Sequence, residues 1–412
     1  MIRQRVQLGI EALAENPAPI RGKRVAVLSH QAGVDHELRR TVDVVAKIAN
    51  LVRIFGPEHG FWAVKQDMEG ASSAIDRVTG KEIVSLYGDY PKLPRGSVDG
   101  WKCELQQKKK ELWPRPEQLR DVEVLVVDLQ DVGARYYTFA NTMAYCMEVA
   151  KTTGTRVVVC DRPNPIGGVA VEGNLFDDER WFSFVGQFNL APRHGLTIGE
   201  LARFYQNVDA KYRCALEVIP MRGWSRAMWW DDTDLPWVPP SPNMPSLATA
   251  TVYPGMCVIE ATNASEGRGT TIPFEIYGAP HVDPFVLADR LNAVGLQGVH
   301  FRPQYFQPTF QKHAGTVCGG VQLHVSDREA LPSYVVGLYA IQILHDIWSD
   351  FGWRKEAYEY EPPDERHALE QLVGSGRFRD IVERGGDLRA WIQSWDLSEF
   401  LRTRQDVLIY KD

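Results

Sequence analysis

Leu51-Val-Arg-Ile-Phe-Gly-Pro-Glu-His-Gly60 is the stretch that decides the fold. Its first five residues form an apolar run that stops at Gly56-Pro57, because proline has no N–H to give a strand ladder. Glu58 and His59 follow where the backbone leaves a sheet, the place where open α/β sheets keep their chemistry. The same pattern recurs on both sides. Arg24-Val-Ala-Val-Leu-Ser29, Val122-Glu-Val-Leu-Val-Val-Asp128 and Arg156-Val-Val-Val-Cys160 are short β-branched runs, separated by helix-like segments at Thr41 to Asn50 and Asn141 to Lys151. Such alternation predicts a parallel sheet covered by helices on both faces. Each run ends in a polar loop, and four loops on one rim make a site.

The 412 residues exceed one typical core and predict two domains. Between Trp224 and Pro245 the chain is rich in Trp, Asp and Pro, which places the domain crossing there. Beyond it, Gly320-Val-Gln-Leu-His-Val325 and the segment Pro332 to Trp348 predict a second α/β unit. With 44% hydrophobic and 24% charged residues the composition is that of a globular protein, and a net charge of -7 argues against a nucleic-acid partner. The basic run Lys102 to Lys110 is interleaved with Glu104 and Glu111 and reads as a solvated helix face. Six scattered cysteines contain no Cys-x-x-Cys pair and imply neither a zinc site nor a disulfide framework. Met1-Ile-Arg-Gln-Arg-Val-Gln-Leu-Gly9 lacks the apolar core of a leader peptide, and no apolar run of about eighteen residues follows, so a cytoplasmic protein without a membrane partner is expected.

The turn Ser29-His-Gln-Ala-Gly33 has one glycine where a dinucleotide fingerprint needs three, so no redox cofactor is expected. His30, Glu58, His59, Asp128, Asp131 and His194 are possible metal ligands, but no pair has His-x-x-x-His spacing and no metal is expected. Further polar segments are Asp128-Leu-Gln-Asp-Val-Gly-Ala-Arg135 with Tyr136-Tyr-Thr138, Asp161-Arg-Pro-Asn-Pro-Ile-Gly-Gly168, Arg193-His-Gly-Leu-Thr-Ile-Gly-Glu200, Ser241-Pro-Asn-Met-Pro245, and Glu260-Ala-Thr-Asn-Ala-Ser-Glu-Gly-Arg-Gly-Thr-Thr271. In that order, with Gly56-Pro-Glu-His-Gly60, they resemble the exo-β-N-acetylmuramidases of peptidoglycan recycling, a glycoside hydrolase family formerly catalogued as a domain of unknown function. The resemblance runs from Leu8-Gly-Ile10 to Leu408-Ile-Tyr410. It implies a Rossmann-like catalytic domain over residues 1–240 and a smaller auxiliary α/β domain over 241–412. It also implies an enzyme that releases terminal N-acetylmuramic acid from the non-reducing end of cell-wall fragments, with a muropeptide or disaccharide as its small-molecule partner.

Glycoside hydrolysis requires a carboxylic acid to protonate the departing oxygen and a second group to meet the oxocarbenium-like carbon. Glu58 is the expected acid, its turn fixed by Pro57 between two glycines, with His59 orienting it or binding a hydroxyl. Glu266, in a loop of small residues, is the expected second group; Glu172 and Asp131 are rivals, and the substrate's own acetamide is a further alternative. The lactyl carboxylate of muramic acid favours a bidentate arginine, Arg135 or Arg268. Asn164, Asn243 and Asn263 are expected to bind hydroxyls or the acetamide, and Asp128 and His194 complete the expected substrate contacts. Tyr136, Tyr137, Trp62 and Trp230 are candidates for stacking on a sugar ring. Two rival readings are a non-catalytic sugar-binding protein, marked by loss of the acid, and a metal-dependent hydrolase of another substrate.

Overall fold

The first sheet is built from β1 (Arg24–Ser29), β2 (Asn50–Gly56), β3 (Ala74–Ile75), β4 (Glu82–Ser85), β5 (Val124–Asp128), β6 (Arg156–Cys160) and β7 (Leu216–Ile219). Their order is β3-β4-β2-β1-β5-β6-β7, parallel throughout except for the short β3. The structure is a computed structural model that describes residues 5–88, 98–362 and 367–410, with backbone only over 98–101; Met1–Gln4 of the stretch read for a leader lie outside these. In register, Val27 pairs with Ile54 and Val126, and Val126 with Val158. Successive side chains point to opposite faces of a strand. Accordingly Val25 and Val27 join Val42, Val45, Val124 and Val126 in one apolar cluster, while Ala26 and Leu28 join Leu125, Val127 and Val159 in another. Both faces are buried, as the continuous apolar runs required.

The segment from Trp224 to Pro245 holds only one short 3₁₀ turn, Trp230–Asp232, before the helix Leu247–Met256 begins. A smaller antiparallel sheet follows, ordered β8-β10-β9 from β8 (Ile276–Ala279), β9 (Val299–Phe306) and β10 (Cys318–Val325). The helices Leu247–Met256 and Ser333–Ile347 touch backbone to backbone at Gly255 and Gly337. A Cβ on Gly255 would stand 1.8 Å from the Ser333 carbonyl oxygen, so the crossing requires glycine there. The larger apolar cluster runs without a break from Leu28 and Val127 through Tyr253 and Val258 to Val321 and Leu344. The two sheets share one core.

Winding proceeds outward from β1 to β4 on one side and from β5 to β7 on the other, so it reverses between β1 and β5. In open α/β sheets that reversal leaves a crevice for a ligand. Here protein fills it. Gln31 donates from Nε2 to the Pro239 carbonyl at 2.7 Å, and His30 donates from Nδ1 to the Pro240 carbonyl at 3.3 Å. Trp230 and Leu235 bury themselves beside Val25 and Val124. Beneath this plug Asp128 is held by Thr41 and by the Arg162 guanidinium, whose Nη2 also donates to the Val34 carbonyl at 2.7 Å.

Candidate active site

With the crevice filled, the polar cavity lies to one side, over the end of β2. Pro57 accepts from the Gly60 N–H at 3.0 Å, and His59 sits between them at φ 68, a left-handed conformation unusual for a residue with a Cβ. This tight turn aims Glu58 inward. Its carboxylate is 4% exposed and accepts from the Thr138 hydroxyl at 2.6 Å. Thr138 is the N-cap of the 15-residue helix Phe139–Thr153, so Glu58 faces the positive end of a helix dipole. His59 donates from Nδ1 to the Lys65 carbonyl at 2.9 Å, which fixes its ring against the same cavity.

The other walls come from far along the chain. Tyr136 and Tyr137 precede the helix, Ser241 and Asn243 follow the plug, and Glu260, Arg268, Tyr358 and Glu359 come from the auxiliary half. The void between them is about 450 Å³, counting the part open to solvent. Arg268 is surrounded by carboxylates, with Glu260 at 2.6 Å, Glu266 at 3.2 Å and Asp67 at 3.4 Å. Tyr358 donates to Glu260 at 2.8 Å, and Asn243 donates to Gln66 at 2.7 Å. Glu359 is 4% exposed and accepts from the Tyr87 hydroxyl at 3.0 Å. Burial and then the charge of Glu58 push its carboxyl well above the usual carboxylate range.

Six sequence candidates, Glu58, His59, Tyr136, Tyr137, Asn243 and Arg268, are thus brought together. The rest stand elsewhere, each for a definable reason. Glu266 lies behind Arg268, bound also by Lys312 at 2.9 Å; burial works against its charge, but Lys312 and Arg268 hold its carboxyl below the usual range. Arg135 faces no carboxylate. It donates to the carbonyls of Asn174, Leu190, Leu372 and Val373 at 2.8–3.1 Å, and thereby caps the last turn of the helix Ala368–Val373. Asp131 accepts from the Gly133 N–H at 2.6 Å, with His194 Nε2 at 3.5 Å. His194 in turn accepts from Leu196 N–H at 3.0 Å. Glu172 pairs with Arg193 at 2.6 Å and accepts from the Tyr334 N–H, in the first turn of the helix Ser333–Ile347, at 3.1 Å. Asn164 closes its own turn and donates to the Leu196 carbonyl at 3.0 Å, while Asn263 holds Asp350 and Gly352 at 2.7 and 2.9 Å. Asp128 serves the plugged crevice. Trp230 is core against Trp237, and Trp62 is half exposed beneath Arg40.

Sequence reading missed Glu359, Asp67 and Thr138. Tyr358-Glu-Tyr-Glu-Pro362 has no strand before it and no glycine, although Glu359 and Tyr360 both adopt positive φ, 47° and 65°. Its alternation of tyrosine and glutamate ahead of proline was the available signal. Arg354 was also missed. It lies over the Tyr358 ring at 5.0 Å and donates to the Met68 sulfur at 3.1 Å, with no carboxylate in ion-pairing range among the described residues. Among the described residues no group of three His, Cys, Asp or Glu converges as metal ligands, and no helix is long and apolar enough to cross a membrane.

Residues 25–248 match the family described as exo-beta-N-acetylmuramidase NamZ, N-terminal, and residues 251–410 match its C-terminal counterpart. The peptidoglycan beta-N-acetylmuramidase NamZ of Bacillus subtilis (strain 168) is 40% identical over 99% of this chain and 92% of that protein. A DUF1343 family protein from Bacteroides fragilis NCTC 9343 has a solved structure that superimposes with a TM-score of 0.83 at 33% identity, covering 99% of both chains. A second protein of that family from the same organism gives 0.69 at 25% identity, also over 99% of each. With both halves matched end to end and the cavity formed between them, the chain belongs to the NamZ family of exo-β-N-acetylmuramidases.

Proposed function

We propose that this chain is an exo-acting glycoside hydrolase that releases terminal β-linked N-acetylmuramic acid from the non-reducing end of peptidoglycan fragments. The observation that carries the reading is Glu58: a carboxylate buried in a cavity, aimed by a strained turn, with no cation paired to it among the described residues. A structural carboxylate at that depth would be neutralised by a partner, as Glu266 and Asp128 are. Left unpaired, it is available to substrate.

A site walled on several sides rather than an open groove suits the end of a glycan. His59, Asn243 and the tyrosine hydroxyls supply donors and acceptors for sugar hydroxyls and the acetamide. The substrate's lactyl carboxylate is met by Arg268, the guanidinium in the cavity wall. A disaccharide or muropeptide beginning in N-acetylmuramic acid is the substrate form this arrangement accepts. The test is hydrolysis of a chromogenic β-N-acetylmuraminide beside the matching β-N-acetylglucosaminide. Preference for the muraminide by at least an order of magnitude is expected, and equal rates, or no hydrolysis of either, would overturn the reading.

A further inference from the structure

Glu58 is not alone in the cavity. Glu359 shares its wall and is as deeply buried, yet it reaches the site from residues some three hundred positions later. Its one partner is the neutral hydroxyl of Tyr87, and no cation lies in ion-pairing range of it among the described residues. Its backbone and that of Tyr360 are held in the left-handed region, a conformation that costs on the order of 1 kcal/mol and persists only where surroundings enforce it. The charged groups that act on it are Glu58, Asp67 and Glu260, all acidic, with Arg268 the cation on the same wall and already committed to Glu260, Glu266 and Asp67.

A buried carboxyl packed beside other carboxylates, with no cation of its own, is driven to keep its proton. The surroundings divide Glu359 from Glu58. The Thr138 hydroxyl donates to Glu58 at the N-terminal end of the helix Phe139–Thr153, whereas Glu359 has neither a helix end nor a cation beside it among the described residues and has Glu58, Asp67 and Glu260 as its charged neighbours. We propose that Glu359 is the second catalytic carboxylate of this site, delivering the proton to the glycosidic oxygen while Glu58 serves as the base on the side of the anomeric carbon. This rests on the glycosidase reading above, and it moves the proton-donor role expected of Glu58 to its neighbour.

In the step, the Glu359 O–H bond breaks and its proton passes to the glycosidic oxygen. The C1–O bond then breaks with its electron pair left on that oxygen, and the leaving sugar departs as an alcohol. Glu58 takes a proton from the group that attacks C1, either water or the N–H of the 2-acetamido group when its carbonyl attacks. An attacking water leaves its hydroxyl on C1; after attack by the acetamide, a water instead adds its hydroxyl to C1 and its proton to the acetamido nitrogen. On either route the proton taken by Glu58 returns to Glu359, leaving the enzyme unchanged and one water consumed.

The experiment compares wild type, Glu359→Gln, Glu58→Gln and Tyr87→Phe on two muraminides, an unactivated β-linked disaccharide and a dinitrophenyl glycoside, with pH profiles of kcat/KM. For Glu359→Gln the expected loss is about 10²–10⁴-fold on the disaccharide and under about tenfold on the dinitrophenyl substrate, which needs no protonation, with the basic limb of the profile abolished. Glu58→Gln should be slow on both. Tyr87→Phe, which removes a hydrogen bond that favours ionised Glu359, should shift the basic limb to higher pH, and it keeps the test open if Glu359→Gln does not fold. Equal losses on both substrates, a retained basic limb in Glu359→Gln, or an unmoved limb in Tyr87→Phe would overturn the assignment. Failure of the wild type on either muraminide would instead sink the glycosidase reading itself.

Discussion

Acidification should strain this fold at His30, inside the plugged crevice. The imidazole is 1% exposed; its Nδ1 hydrogen goes to the Pro240 carbonyl, and its Nε2 accepts the Gln130 N–H at 3.0 Å. A second proton would have to sit on Nε2, facing that N–H with the Arg162 guanidinium close by. Burial first and Arg162 second accordingly push the pKa down to about 3, against an ordinary value of 6.5. Between those values the unfolded chain binds a proton that the folded chain refuses, so stability falls as pH drops below about 6.5. Each unit costs about 1.4 kcal/mol, or about 2 kcal/mol by pH 5. Buried Asp161, its carboxyl pushed up to about 7 mainly by burial, works the other way, losing stability as pH rises toward 7. A difference measurement therefore isolates the histidine. His30→Gln keeps an acceptor for Gln130 and cannot be protonated, so its stability relative to wild type should improve by about 2 kcal/mol between pH 7 and pH 5. Urea midpoints read by tryptophan fluorescence at pH 5, 6 and 7 measure it. A change below about 0.5 kcal/mol would refute the argument, because a histidine that accepts its second proton in place cannot be buried as described.

Other outcomes follow from the cavity. Glu58→Gln should fold normally and lose at least about 10²-fold in kcat on a muramic disaccharide, measured by release of the terminal sugar; retention of more than a tenth of wild-type kcat would remove Glu58 from the chemistry. Arg268→Gln should raise KM for the muraminide by roughly tenfold and also slow residual glucosaminide hydrolysis, because it releases Glu260 and Glu266 into the cavity wall. Glu266→Gln leaves Lys312 without its carboxylate partner, so a stability loss of about 3–5 kcal/mol is expected in urea unfolding. A 2-fluoro sugar should form no adduct at position 266, and mass spectrometric detection of one would restore it as a nucleophile.

Strand positions were legible because burial on both faces writes itself as unbroken β-branched runs: Arg24–Ser29 and Arg156–Cys160 have the same limits in sequence and structure. β7 escaped notice because Leu216–Ile219 is half-buried at the sheet's edge and carries Glu217. The site divides along similar lines. Glu58 was visible because proline and glycine mark the turn that carries it. Glu266 and Arg135 were attractive for the same loop chemistry, but charge in a loop reports only that a partner exists, and only folding reveals whether that partner is substrate, an arginine or a row of carbonyls. Glu359 depends on a hydrogen bond from Tyr87 and on sharing a cavity wall with Glu58, both across most of the chain, and no local spacing encodes them.

The filled crevice has a consequence for how the molecule is made. Pro239 and Pro240, which close the gap between β1 and β5, emerge during synthesis well after those strands. The Arg135 guanidinium waits longer still, for Leu372 and Val373, and Asp161 at the end of β6 receives the Tyr410 hydroxyl at 2.6 Å. A nascent chain that stops at the domain crossing would therefore present Arg135 and Asp161, both deep in the finished fold, without the partners that Leu372, Val373 and Tyr410 later supply. The half translated first is completed by residues of the half translated second, so its final packing waits for them, and the glycan cavity comes into being in the same event.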